Sequence, residues 1–181
     1  MKIIMAALAA LLLGACSPEY NWRELRSAEG GHLVMLPAKP ASMTRDIHLE
    51  EMPVSMAMQG ARVGKTSFTV AVATLPDDSE ATRAKAVAAM RAGMLRNIAG
   101  VEKSVRSVPV PLVDFGGAPV GTLPGTRVDA EGEVKGEPVT MSAGFVARSN
   151  RAWQWVVLGP APDPEQVATF LDSFRLVVPA P

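Results

Sequence analysis

The chain has 181 residues, 48% of them apolar and 20% charged, and its 18 basic side chains balance its 18 acidic ones. Composition therefore supplies no long-range attraction to nucleic acid or to an anionic membrane. A single cysteine and two histidines exclude an internal disulfide framework and any multi-cysteine metal centre, and argue against a histidine-rich one.

The chain opens with Lys2 and an unbroken apolar run, Ile3–Leu13. That run is shorter than the roughly 20 residues that span a bilayer, and small residues follow it, which is the pattern of a signal peptide over residues 1–15, its apolar part helical. Leu13-Gly14-Ala15-Cys16 resembles the lipobox of bacterial lipoproteins. The resemblance implies cleavage before Cys16 and acylation of its thiol. Acyl chains contribute about 0.8 kcal/mol per buried CH₂, so two or three of them would hold the protein on the bilayer essentially permanently. By the sorting rule of the same lipoproteins, Ser17 in place of Asp implies the outer membrane, facing the periplasm. Residues 16–19 then form a lipidated tether, short enough to keep the domain against its membrane.

The remaining chain, residues 20–178, reads as one domain, with 179–181 a frayed end. Strand signals run in order over Trp22–Leu25, His32–Leu36, Arg45–Leu49 and Val54–Met58. Alternation is clearer at Phe68, Val70 and Val72. A helix follows the Asp77-Asp78-Ser79 cap region, with Val87, Met90, Met94 and Ile98 on one face and Gly100 as its stop. Further strands are expected over Ser104–Val108 and Thr126–Glu131, separated by a Pro/Gly-rich loop from Gly116 to Gly125. Val139, Met141, Ala143 and Phe145 alternate, as do Trp153, Trp155 and Val157. A second helix is marked by Asp163 as cap, Pro164 at its first position, Gln166 completing a capping box, and Val167, Phe170, Leu171 and Phe174 as its apolar face. This order predicts an α+β fold, a largely antiparallel sheet covered by two main helices.

His32-Leu33-Val34-Met35-Leu36-Pro37 and Phe170-Leu171-Asp172-Ser173-Phe174-Arg175-Leu176 resemble the opening and closing signatures of the PsbP/Mog1-like sandwich. Tyr20-Asn21-Trp22-Arg23-Glu24, and Leu36-Pro37-Ala38-Lys39-Pro40-Ala41 with Thr44-Arg45, resemble a group of proteobacterial lipoproteins. The resemblance implies a docking or accessory module, and neither signature carries chemistry of its own.

The stretch Gly60-Ala61-Arg62-Val63-Gly64-Lys65-Thr66 nearly spells a phosphate-binding loop, but its spacing is one residue short and a strand follows where a helix is needed, so it reads as a hairpin turn. Met52, Met56 and Met58 near His48 have the soft donors that select Cu(I), yet strand alternation makes them core residues first. Asp129, Glu131 and Glu133 lack the spacing of a calcium loop. His32 and His48 are expected at solvent-facing strand positions. No nucleophile with a partner base is recognisable, and the only thiol is the expected lipid site. Tyr20, Trp22 and Arg23, next to the tether, form a candidate interaction patch.

These observations lead to a lipid-anchored, non-catalytic binding or accessory module, with no cofactor and no nucleic acid. Its partners are the bilayer, through acylated Cys16, and an envelope protein. A periplasmic carrier of copper or a small ligand, and a hydrolase with an unrecognised site, are the alternatives.

Overall fold

The computed structural model describes residues 19–179. The signal peptide, Cys16 and the last two residues of the expected frayed end lie outside them. The described elements are β1 (Arg23–Ser27), β2 (His32–Leu36), β3 (Ala41–Leu49), β4 (Met52–Val63), β5 (Thr66–Thr74), α1 (Glu80–Asn97), β6 (Val101–Val113), β7 (Pro119–Val134), β8 (Glu137–Arg148), β9 (Arg151–Gly159), α2 (Pro164–Leu171) and β10 (Arg175–Val177). Among these residues no helix is long and apolar enough to cross a membrane.

All the strands join one ten-stranded sheet in the order β1-β2-β10-β6-β7-β8-β9-β5-β4-β3. Every pairing is antiparallel except β10 with β6, so the sheet is mixed. The expected helix-covered sheet is therefore corrected: the fold is mostly a curled mixed sheet, and its two helices each reach only a few strands.

The curl follows from what the strands bury. Val34 and Leu36 of β2 share a core cluster with Phe68 and Val70 of β5 and with Trp153, Trp155 and Val157 of β9. A flat sheet with strands about 4.8 Å apart would hold β2 and β5 more than about 25 Å apart, so the sheet must bend for these side chains to meet. Phe170 and Leu171 of α2, with Phe174 and Leu176, complete this inner core. Each such large apolar side chain contributes about 1.5–3 kcal/mol by leaving water.

Strand periodicity sends the alternate residues to the other face. Ala71, Ala73, Val128, Ala130, Met141, Ala143 and Val156 meet α1 there. The helix packs closely because Ala86 and Ala89, 0% and 2% exposed, bring its backbone onto the sheet beside Met90. Ile98 is fully buried after the last turn, and Val87 and Met94 pack at the margin of the cluster. Ser79 caps α1, its side chain accepting a hydrogen bond from the Thr82 amide.

Two further expectations change in the structure. The Gly116–Gly125 stretch read as a loop, but from Pro119 onward it is the first half of β7, paired with β6 from Val108 to Val113. Gln166 does not close a capping box. Asp163 caps α2 alone, accepting from the Glu165 amide at 2.8 Å, while Gln166 Oε1 accepts from the Trp22 indole at 3.0 Å.

Candidate functional site: an arginine-lined cleft

The site lies where β6 loses a neighbour. On one side β6 pairs with β7 along its length. On the other it meets β10 only at Leu112 and Val113, so Val101–Pro111 has a free edge. The Val113 carbonyl accepts from the Val178 amide at 2.8 Å, which fixes the side that the odd-numbered backbone groups face, because groups alternate along a strand. Pro109 and Pro111 thus sit where an N–H would otherwise point outward, and they remove those donors from the edge.

Between this edge and the α2–β10 connection is a cleft of about 320 Å³. Val108, Pro109, Val110 and Pro111 form one wall, Leu171, Asp172, Phe174 and Arg175 the other, with Arg106, Arg127 and Trp155 completing it. Trp155 and Phe174 stack with centroids 4.1 Å apart and planes 6° from parallel. The Trp155 indole donates to the Leu171 carbonyl at 3.1 Å, which fixes the ring. Gly144 makes room for it, since a Cβ there would stand 2.1 Å from the indole.

Three arginines converge on this aromatic floor. Arg106 Nη1 reaches Asp129 at 3.0 Å. Asp129 also accepts from the Ser104 and Ser142 hydroxyls, each at 2.7 Å. Burial pushes the Asp129 carboxyl up, but the hydrogen bonds from Ser104, Ser142 and Arg106 outweigh it and hold the group below the usual aspartate range. Arg127, 9% exposed, donates through Nη2 to Asp172 at 3.0 Å, while its buried Nε has no partner. Arg175 donates to the carbonyls of Asp172 and Phe174 at 2.6 and 2.9 Å. It has no carboxylate partner among the described residues. The arrangement pairs two arginines with aspartates and leaves one positive charge over, beside an apolar floor. Such a surface suits an anion with an apolar body.

The other residues singled out from sequence lie elsewhere. Tyr20 and Trp22 are half-buried, stacked at 6.1 Å, and both meet Phe68 edge-on; Arg23 beside them is exposed. Met52 and Met56 are core residues against α1, with Met58 packed at the margin. Gly64 turns the β4–β5 hairpin at φ +56, so the loop that resembled a phosphate site is a turn between paired strands. Glu131 pairs with Lys103 at 2.8 Å and shares none of Asp129's hydrogen-bond partners. Among the described residues no three His, Cys, Asp or Glu side chains group as metal ligands. His48 is exposed as expected, but His32 is corrected: it is 1% exposed, stacked on Phe174, and neither ring nitrogen has a hydrogen-bond partner.

The cleft itself had no signal in the sequence. Arg106, Arg127, Asp172 and Arg175 come from four separate elements or connections, and no local spacing links them.

No protein-family model and no curated protein matches the chain. Among solved structures, that of cyanobacterial PsbP (CyanoP) from Synechocystis sp. PCC 6803 aligns with a TM-score of 0.51 at 10% identity, over 91% of this chain and 99% of that one. The apo immunity protein TplEi of the T6SS from Pseudomonas aeruginosa aligns with a TM-score of 0.38 at 13% identity, over 96% of this chain and 83% of that one. At such identities a likeness concerns fold alone. The fold is thus similar to that of cyanobacterial PsbP.

Proposed function

We propose that this chain is a lipid-anchored protein of the bacterial envelope, facing the periplasm, whose domain is a non-catalytic binding module. The observation that carries the binding role is the cleft beside β6. It combines an unmatched positive charge with a strand edge that lacks donors at Pro109 and Pro111, and neither is needed to close the core, to which the aromatic floor of Trp155 and Phe174 belongs. The anchor rests on Leu13-Gly14-Ala15-Cys16, and on Glu19 following Cys16 by only Ser17 and Pro18. That spacing leaves a reach of about 10 Å, so the domain would work at the membrane surface. A copper carrier is disfavoured by the core positions of Met52 and Met56.

Replacing Cys16 with Ala and fractionating cells tests the anchor. The expected result is loss of lipid labelling and of membrane association, and unchanged processing and fractionation would contradict it. The binding role is tested by crosslinking the lipidated chain in cells, with and without Arg106→Gln and Arg175→Gln. A stoichiometric adduct that the double variant loses supports the module. The same scattered adducts from both chains would contradict it.

A further inference from the structure

Resting on the binding role just proposed, we infer that the cleft takes a monocarboxylate attached to an apolar body. Two features define the head group. Arg127 and Arg175 flank Asp172, and the three arginines face only two aspartates, so one positive charge is unmatched. A planar guanidinium fork matches a carboxylate in two parallel hydrogen bonds. A single negative charge completes this balance, whereas a phosphate dianion would overshoot it.

The apolar body follows from the accessible wall. Val108, Pro109 and Pro111 line one side of the cleft, and the stacked Trp155 and Phe174, each 2% exposed, close its bottom. The volume, about 320 Å³, falls at the small end of pockets that hold compact ligands. The prolines also determine how the ligand enters. A peptide cannot add as a strand along Pro109–Pro111, because the edge lacks the donors that strand addition uses. Recognition is therefore by a terminal group and not by an extended backbone. The carboxylate can come from the C-terminus of a partner chain or from a free small acid, and both present the same chemistry.

Calorimetric titration of the full lipidated protein in detergent separates these sources. The probes are 3-phenylpropanoate, its neutral counterpart 3-phenylpropanol, and the peptide acetyl-Ala-Phe as free acid and as amide. Both acids are expected to bind, and both neutral forms to bind at least about tenfold more weakly, the factor that one charge-assisted hydrogen bond supplies. Arg175→Gln and Arg106→Gln lie at partly exposed positions and are expected to keep the fold, checked by circular dichroism, while lowering acid affinity by about tenfold. Tighter binding of the peptide acid assigns a chain terminus, and tighter binding of phenylpropanoate assigns a free acid. No binding of either acid, equal binding of acid and neutral forms, or unchanged affinity in both variants would overturn the inference. If the acids fail while in-cell adducts still depend on the arginines, the binding module stands and only the carboxylate assignment falls.

Discussion

Between about pH 6.5 and pH 4, acid should destabilise this protein through His32. Its ring is 1% exposed and stacked on Phe174 with centroids 6.0 Å apart, and both nitrogens lack partners. Burial, with Arg151 adding to it and the nearby Gly30 backbone offsetting a part, pushes its pKa down to about 4. An unfolded imidazole titrates near 6.5. Above that pH both states are neutral and His32 adds no pH dependence. As pH falls below about 6.5 the unfolded chain gains a proton that the folded chain refuses until about pH 4, so stability falls across this window. At about 1.4 kcal/mol per pH unit, the full loss is about 3 kcal/mol, and it levels off below pH 4. Urea unfolding of the wild type and of His32→Phe at pH 7.5 and 4.5 reads the effect, since the carboxylates titrate in both chains and cancel. The wild type should lose about 2–3 kcal/mol more than the variant. Identical pH slopes would refute the burial of a neutral, unpartnered imidazole.

Gly144→Ala should displace the Trp155 indole, since the new Cβ would stand 2.1 Å from it. The expected cost is about 1–3 kcal/mol with altered tryptophan fluorescence, and an unchanged Tm would contradict the packing of the cleft floor. Trp153→Phe removes the indole that donates to the Gly30 carbonyl at 2.8 Å, leaving a buried acceptor unpaired at about 1–3 kcal/mol by chemical denaturation. Asp129→Ala should cost about 1 kcal/mol, because the Ser104 and Ser142 hydroxyls and Arg106 lose their shared acceptor. Asp129's carboxyl lies below the usual range when folded, so its stabilisation is present above the unfolded value near 3.9 and is lost as pH falls through the folded one. The variant's stability should therefore fall less at the acid end, and an unaltered acid limb in thermal melts would rule out this role.

The local features of the fold were legible in the sequence because they depend on neighbours in the chain. Gly64 at a hairpin turn, Asp163 before Pro164, and the alternation of Trp153 and Trp155 each identify a structure that a few residues decide. The β6–β7 hairpin was only half legible. The strand expected to end at Val108 runs on to Val113, because Pro109 and Pro111 lie on a free edge where no partner needs their missing N–H. The curl depends on β2 meeting β5 and β9, a contact between strands distant in both sequence and sheet order. His32 was misplaced for the same reason. Its strand face is covered by Phe174, which arrives from the far end of the chain.

The cleft was illegible altogether, since its arginines are ordinary strand residues until β6, β7 and β10 bring them together beside the end of α2. The most direct test of its role is a photo-reactive side chain at Val108, in the cleft wall, compared in living cells with one at exposed Glu137 in the same lipidated chain. A single defined adduct from position 108, protein or small acid, absent from position 137 and abolished by Arg175→Gln, is the predicted result. The same diffuse neighbours captured from both positions, indifferent to Arg175, would contradict the assignment of this cleft as the binding surface.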